Sequence, residues 1–316
     1  WAAYIPPRVI TLFEKQTGIH VNYSTFDNNH ALYTKLKSDP HIGYDVVFPS
    51  TYFVQRLSKE HMLMVLNHKK LSHFKDLNPR LLNRTYDPHN RFDVPFLWGS
   101  TGIIVNDQAY NPSSITTWRD LWQKRFRRQL LLTDDMRDVF AVGMHVLGYS
   151  INDTNPAHIK KASLVLQQLL PNVKLFNSAG TRLVYLGDDA SVGMIDSGDA
   201  YFVIKRNPHL HFIYPKDGVT LWMDCMAIPI YAPHPQNAYK FINFILKPKI
   251  AKMISEDLGY STPNLTAQKQ LSKKEQENVI LNPPKKVLAR AQMEADLGKR
   301  ATRLYLQGWE RLKLSA

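Results

Sequence analysis

The stretch IHVNYSTFDNNHALYTKLKSDPHIGYDVVFPS, residues 19–50, decides the fold class. Its first seven residues alternate in polarity as a strand does, and its last seven form a nearly continuous apolar run of the kind buried on both sheet faces. Between them, residues 27–29 supply an N-cap for a helix that carries Leu32 and Leu36 on one face. Strand, helix and strand in this order predict a βαβ unit, whose ligands gather at the carboxyl ends of the strands.

The alternation of strand and helix patterns continues along the chain and predicts an α/β protein with largely parallel sheets. A helix that begins at Pro6-Pro7 and ends near Gly18 is expected first. The further elements are strands at 102–107 and 129–135, a helix at 136–148, and a helix through 238–245 that Pro248 ends. No internal repeat or Gly/Ser linker separates them, so we expect two domains between which the chain crosses more than once.

The bulk composition is that of a globular protein of 316 residues, with 44% hydrophobic and 21% charged residues. No run of about 18 apolar residues is present, so we expect no membrane-spanning helix. The formal charge of +13 leaves nucleic acid or an anionic membrane surface open as partners, although basic runs such as Lys124–Arg128 are more often solvated faces. Because neither an initiator Met nor an apolar leader precedes Trp1, we expect a processed or trimmed product.

Several kinds of chemistry lack their motifs. Cys225 is the single cysteine, which excludes an internal disulfide and indicates a buried thiol. Twelve histidines form no zinc-binding frame, and His209 and His211 share a strand face with nothing nearby in sequence to complete a metal site. Phosphate-binding loops, dinucleotide-binding turns and nucleophile elbows are also missing. We therefore expect neither a metal nor a cofactor.

One motif leaves an enzyme open as an alternative. MIDSGDA, residues 194–200, resembles the Asp-Ser-Gly triplet of aspartic proteases. That chemistry needs two carboxylates that share one proton, and the chain has a single triplet. A hydrolase would have to use the acids at 134, 135, 196 and 199.

Acidic residues at the ends of predicted elements form a more coherent set. Trp222 and Asp224 lie two residues apart on a predicted strand and therefore project from the same face. A buried carboxylate is costly unless it is paired, so Asp224 either meets a local Arg or backbone amide or forms half of an ammonium-binding site. Asp135 and Asp138 lie on one side of a first helical turn, where helix capping explains them as well as a ligand does.

The same segments resemble the substrate-binding proteins of bacterial polyamine ABC importers, the spermidine/putrescine-binding family, with the spermidine branch most similar. The similarity extends over nearly the whole chain. It rests on FEKQTGIHVNYSTFDNN, YDVVFPSTYFV, LLLTDDMRDVF, LWMDCMAIP and LGYSTPN.

The resemblance implies a two-lobed periplasmic-binding-protein fold, type II-like, with mixed sheets flanked by helices and a cleft between the lobes. The lobes would be residues 1–99 with 223–268 and residues 100–222 with 269–316. It further implies a monomeric periplasmic receptor without enzymatic activity that closes on a polyamine and delivers it to an inner-membrane ABC permease.

The resemblance also implies the ligand-binding residues. Three carboxylates, Asp135, Asp138 and Asp224, would take the amines. Aromatic and hydroxyl side chains would line the cleft, namely Trp1, Ser50, Tyr52, Trp222 and Tyr260.

Departures from the family pattern give this chain its own expected specificity. Asp196 stands where the family has a stacking tryptophan, and Glu294 falls on an amide position. Asp138 stands where Glu is common, Ala2 and Ala3 replace a polar pair, and the strand that normally precedes Trp1 is absent from the sequence. We expect two added carboxylates, Asp196 and Glu294, to favour spermidine or spermine over putrescine. Alternatively, Asp196 pairs with a protein arginine, or the chain has lost amine binding and acts as a sensor or adhesin.

Overall fold

The computed structural model describes residues 1, 4–178 and 180–315. The chain folds into two compact units. Unit 1 comprises Trp1–Trp98 and Trp222–Asn278, and unit 2 comprises Gly99–Leu221 and Val279–Ala316. In the division expected from the family resemblance, the chain passes from one lobe to the other at 99/100, 222/223 and 268/269. The movement of the two units as lobes stays a prediction.

Thirteen α-helices and several short 3-10 helices occur within the described residues, and none of those helices is long and apolar enough to span a membrane. The α-helices are α1 (Pro7–Thr17), α2 (Asn29–Ser38), α3 (Thr51–Lys59), α4 (Met136–Val146), α5 (Pro156–Leu169), α6 (Thr181–Leu186), α7 (Ser197–Ile204), α8 (Pro235–Leu246), α9 (Pro248–Leu258), α10 (Leu265–Gln270), α11 (Lys273–Gln276), α12 (Lys285–Leu288) and α13 (Gly298–Leu314).

Seven strands form one mixed sheet with the order β3-β2-β4-β1-β6-β7, and β5 also pairs with β1. The strands are β1 (Asp93–Asn106), β2 (Leu130–Leu132), β3 (Val173–Phe176), β4 (Val192–Asp196), β5 (Leu210–Ile213), β6 (Val219–Ala227) and β7 (Ala291–Met293). Parallel pairing joins β2 to β3 and β4, and β6 to β7, whereas β1 is antiparallel to β4 and β5. The expectation of largely parallel sheets is thus only partly right. It holds for β2, β3 and β4, which helices connect as the crossovers that parallel neighbours need.

Local signals set the ends of the predicted helices in unit 1. α1 begins after Pro6 and ends at Gly18, whose φ of 67° is a left-handed conformation that glycine adopts without strain. The side chain of Asn28 caps α2 by accepting a hydrogen bond from the Ala31 amide. α8 ends directly before Pro248, which begins α9.

The two strands predicted at 19–25 and 44–50 are not regular strands, so the predicted βαβ unit is wrong in this detail. Residues 44–50 form isolated bridges, Val47 with Ala227 and Ser50 with Asp224. Residues 19–25 have no strand partner in the part of the chain that the structure describes. Both segments line a cavity of about 740 Å³ in unit 1. A polarity pattern predicts an extended backbone, but a strand also needs a neighbour that completes the hydrogen-bond ladder.

The hydrophobic core of unit 2 fixes the N-terminus of α4, which carries two of the candidate carboxylates. Val139 and Phe140 of α4 are fully buried in that core, and α4 packs against α5 and α13. At the α13 contact, a Cβ on Gly308 would lie 2.7 Å from the Phe140 ring, so only glycine allows this close approach.

Candidate functional site

Asp224 is a buried carboxylate in unit 1 that is held by two hydroxyl groups. Its side chain is 6% exposed, Ser50 Oγ donates to Oδ1 at 2.6 Å, and Tyr4 Oη donates to Oδ2 at 2.6 Å. Burial raises the pKa of Asp224 to about 6, and the two hydrogen bonds oppose that rise. No Lys or Arg side chain of the described residues forms an ion pair with Asp224, so the local-arginine explanation of this residue is wrong.

Asn29 ties the start of α2 to the residues around Asp224. Its Nδ2 donates to Ser50 Oγ at 3.0 Å and to Tyr52 Oη at 3.3 Å, and its Oδ1 accepts from the Ser50 amide at 3.0 Å. The sequence analysis missed both Asn29 and Tyr4. The sequence contains a signal for Asn29. Only one residue of the Asn28-Asn29 pair can cap the helix, so the other asparagine is available for another contact.

Aromatic rings cover the same region of unit 1. Trp222 and Tyr260 make an edge-to-face pair with ring centroids 5.3 Å apart, and Tyr4 lies 6.0 Å from Tyr260. Trp1 packs against Phe26 at 4.8 Å, and its buried Nε1 has no hydrogen-bond partner among the residues that are described. The predicted residues Ser50, Tyr52, Trp222, Asp224 and Tyr260 are thus linked within unit 1. Trp1 belongs to the same unit, where it packs against Phe26, a residue that the sequence analysis missed.

A second group of carboxylates lies in unit 2 at the start of α4. Asp135 is the N-cap of α4, and its Oδ1 accepts from the Arg137 amide at 2.7 Å and from the Asp138 amide at 3.3 Å. Burial raises the pKa of Asp138 well above the usual range, and the negative charges of Asp135, Asp196 and Glu294 raise it further. The predicted convergence of Asp135 and Asp138 therefore extends to two more acids.

Asp196 and Glu294 reach this group from other elements. Asp196 ends β4 opposite Thr101 of β1, whose Oγ1 donates to Asp196 Oδ1 at 2.9 Å. Glu294 is 8% exposed, with its Oε1 3.9 Å from Arg137 Nε. Arg137 also donates through Nη1 to the Ala295 carbonyl at 2.9 Å. The other two departures from the family pattern, Ala2 and Ala3, lie outside the described residues.

Two of the four acids of the hydrolase alternative pair with protein cations. Asp134 pairs with Lys313 at 2.8 Å, and Asp199 pairs with Arg182 at 2.6 Å. Both carboxylates are therefore neutralised by protein cations, which does not favour either of them as a member of a proton-sharing pair.

The histidine pair has a partner that the sequence analysis did not expect. His209 Nδ1 and His211 Nε2 each lie against a different oxygen of Asp107, at 2.8 and 2.7 Å. In the described part of the chain, no group of three or more His, Cys, Asp or Glu side chains is arranged to hold a metal ion.

The thiol of Cys225 is fully buried, as the sequence predicted. Its Sγ lies 3.7 Å from Tyr86 Oη. Burial raises the pKa of the Cys225 thiol well above its usual range, which keeps the thiol neutral and unreactive.

Taken by themselves, the two sites suit a ligand that carries N–H donors and positive charge. Each offers buried or half-buried carboxylates, and the unit 1 site adds ring faces that cover methylene groups. Both arrangements suit reversible binding of such a ligand.

The fold is that of a solute-binding protein. A solved ABC transporter structure from Listeria monocytogenes superposes with a TM-score of 0.97 at 37% identity, with 100% of this chain and 98% of that chain covered. The substrate-binding protein PotD of the spermidine/putrescine ABC transporter of Streptococcus pneumoniae superposes with a TM-score of 0.85 at 32% identity, with 100% and 97% covered. The predicted α/β fold class is confirmed.

The chain belongs to the bacterial extracellular solute-binding protein family, whose profile matches residues 8–283. The spermidine/putrescine-binding periplasmic protein of Salmonella typhimurium is 40% identical over 313 residues, which make up 99% of this chain and 90% of that protein. The resemblance predicted from the sequence segments is confirmed.

Proposed function

We propose that this protein is a periplasmic polyamine receptor that delivers its ligand to an ABC permease in the inner membrane. The observation that carries the proposal is the buried carboxylate of Asp224, which lies beside Trp222 and is held by two hydroxyl groups. Relatives that cover nearly the whole chain are named for spermidine and putrescine binding in the periplasm. We propose no catalytic activity and a monomeric state.

The geometry around Asp224 supports one ammonium group of the ligand. Ser50 and Tyr4 each hold one carboxylate oxygen, which fixes the plane of the carboxylate while leaving lone pairs for a third donor. An ammonium group near a buried carboxylate favours its charged form and thus lowers the raised pKa of Asp224. Trp222 and Tyr260 would cover the methylene stem next to that ammonium group.

The acids of unit 2 support the remaining amines. Asp138 lies close enough to Asp135, Asp196 and Glu294 for their negative charges to raise its pKa, and this concentration of negative charge attracts a cationic group. The two acids that depart from the family pattern, Asp196 and Glu294, raise the number of cations that the site can neutralise. We therefore expect a triamine or tetramine to be preferred over a diamine.

The proposed transport mechanism is a population shift. A polyamine that pairs with carboxylates of both units stabilises a closed form, which the permease would recognise. Binding free energy that exists only in the closed form drives the shift, so a ligand that reaches one set of carboxylates closes the protein less well.

Calorimetry tests the proposal on the wild type, on Asp224→Asn and on the control Asp39→Asn, which removes one exposed charge from unit 1. Loss of one partner of a buried, hydrogen-bonded charge pair costs about 2–5 kcal/mol, so Asp224→Asn should bind spermidine at least about 30-fold more weakly. The control should bind as the wild type does. If Asp224→Asn binds putrescine, spermidine and spermine as tightly as the wild type does, the proposal is wrong.

The second candidate function is that of a family member whose amine binding is altered or lost. The contact between Glu294 and Arg137 favours this alternative, since a protein cation already lies near one of the added acids. If no amine binds the folded wild-type protein, this alternative replaces the first.

A further inference from the structure

A basic surface lies in unit 2, and its first segment precedes β2 whereas Asp135 follows β2. It consists of six exposed side chains from two segments, Lys124, Arg125, Arg127, Arg128, Lys160 and Lys161. The two segments, residues 119–128 and α5, hold seven Lys and Arg residues against one acid, Asp120. They therefore supply a net charge of +6 out of the +13 of the whole chain.

The charges of the basic surface are not neutralised by the protein. Some cations elsewhere are paired, for example Arg8 with Asp257 and Arg182 with Asp199. None of the six side chains of the basic surface forms an ion pair with a carboxylate of a described residue. Asp120 is occupied in capping, because its Oδ2 accepts from the Thr116 and Thr117 amides at 2.9 Å.

The basic surface is fixed to the fold rather than carried on a loose loop. Trp122 Nε1 donates to the Val165 carbonyl of α5 at 3.1 Å, and Asn172 Nδ2 donates to the carbonyls of Leu121 and Gln123 at 2.8 and 3.0 Å. Phe126, in the middle of the basic run, is fully buried in the core of unit 2. The backbone positions that carry the cations are therefore fixed, so binding requires ordering of side chains but not of the backbone.

An exposed leucine accompanies the cations on α5. Leu164 is 49% exposed and follows Lys160 and Lys161 at spacings of four and three residues, which places the three side chains on one helix face. Lysines beside an exposed apolar side chain are typical of surfaces that rest at a membrane interface, where the leucine enters the boundary layer and the cations meet phosphate.

We infer that the basic surface docks on the anionic phospholipid headgroups of the membrane. Six fixed cations without protein counter-charges complement a negatively charged bilayer, and each Lys or Arg at such a surface strengthens binding about fivefold. A polyamine ligand is itself cationic, so this surface repels it and is separate from the proposed ligand site. Docking of this kind holds a receptor near a transporter that lies in the bilayer. The inference does not depend on which solute is bound.

Vesicle flotation with the full chain tests this docking. The probes are vesicles of phosphatidylcholine alone and of phosphatidylcholine mixed equally with phosphatidylglycerol. The wild type should float with the anionic vesicles at low ionic strength and dissociate as salt is raised, because screening shortens the reach of the charges. It should not float with phosphatidylcholine alone. Equal flotation with both kinds of vesicle would overturn the inference.

A triple variant, Lys124→Gln, Arg127→Gln and Lys161→Gln, removes three charges from the basic surface. We expect its partition onto anionic vesicles to fall roughly 100-fold, from about fivefold per cation. The matched control, Lys216→Gln, Lys285→Gln and Lys286→Gln, removes three exposed lysines of the same unit and should retain partition within a few-fold of the wild type. Equal losses in both variants would show a net-charge effect and overturn the inference.

Two further measurements keep the result interpretable. Thermal unfolding of both variants should match the wild type, because all six substituted side chains are exposed. Double-stranded DNA serves as a competing polyanion. If DNA retains the wild type at a salt concentration that releases it from anionic vesicles, the surface binds nucleic acid and the membrane inference is wrong.

Discussion

At the scale of single residues, Asp224 couples the fold to pH. Its folded pKa of about 6 lies above the usual value of 3.8, so the protonated form is favoured by folding. The stability contributed by that proton is fully present below about pH 4 and is lost as the pH rises through about 6. The empty protein is therefore expected to carry a free-energy cost at neutral pH that a bound ammonium group removes.

We expect Asp224→Asn to show this cost directly. The amide keeps an oxygen for hydrogen bonding but does not ionise, so the stability of the variant relative to the wild type should rise by roughly 2–3 kcal/mol from about pH 4 to about pH 7. Urea unfolding of both proteins without ligand at the two pH values measures the change. A relative stability that is independent of pH would show that Asp224 titrates normally.

Asp196 provides a residue-scale test of selectivity. Asp196→Asn keeps an acceptor for Thr101 Oγ1 but removes one charge near Asp138. Since a charge-assisted hydrogen bond is worth about 1.5–3 kcal/mol, the preference for spermine over putrescine should fall at least about tenfold. The control Asp189→Asn removes an exposed charge from the same unit and should leave the preference unchanged. Calorimetry with both amines gives the ratio, and an unchanged ratio in Asp196→Asn would remove this residue from the site.

At the scale of elements, substitutions of Asp135 at the N-terminus of α4 can distinguish helix capping from ligand binding. The structure shows that Asp135 caps α4, and a role toward an amine is additional to that contact. Asp135→Asn retains a capping oxygen and loses the charge, whereas Asp135→Ala loses both. We expect the Asn variant to unfold within about 0.5 kcal/mol of the wild type and the Ala variant to lose about 1 kcal/mol.

Affinity for spermidine should separate the same two variants in a different way. If Asp135 pairs with an amine, both variants bind at least about tenfold more weakly, because both lack the charge. If it only caps the helix, the Asn variant binds as the wild type does. Urea unfolding and calorimetry on the two variants together decide between these outcomes.

Elements that depend on local chemistry were predictable from the sequence. Gly18, Asn28 and Pro248 each set a helix end through their own backbone preference or side chain. The pattern at 19–25 predicted a strand that the structure does not have, because no local signal specifies whether a neighbouring strand completes the ladder. For the same reason the residue patterns alone indicated largely parallel sheets, whereas the family resemblance correctly implied mixed ones.

The candidate site was predictable where neighbours in sequence are neighbours in space. Asp135 and Asp138 share one helical turn, and Trp222 and Asp224 share one strand face. The hydroxyl donor Tyr4 was not predictable, because 220 residues separate it from Asp224 and a tyrosine after an aromatic N-terminus has no special pattern. The roles of Asp196 and Glu294 came from the family comparison, since neither follows from periodicity.

At the scale of the whole molecule, the net charge of +13 does not oppose a cationic ligand. Exposed charges more than about 10 Å away are largely screened at 0.1 M salt, so the nearest carboxylates decide what a bound amine experiences. The basic surface and the acidic sites are thus compatible in one chain, because they act at different distances.

Ligand binding should stabilise the whole molecule. Spermidine at about 100 times its dissociation constant should raise the free energy of unfolding by about 2.7 kcal/mol, provided that the unfolded chain does not bind it. Thermal unfolding with putrescine, spermidine and spermine measures the effect, and butylamine serves as a control with a single amine. Stabilisation by butylamine equal to that by spermidine would contradict a site built for several charges.

The single thiol gives the protein a built-in reporter of opening. Cys225 is fully buried on β6 next to Asp224, so an alkylating reagent can reach it only when this part of unit 1 opens transiently. A polyamine held by Asp224 should slow alkylation in proportion to occupancy, whereas Asp224→Asn should show no such protection. The rate of thiol modification therefore follows ligand occupancy with no dye, tag or added cysteine.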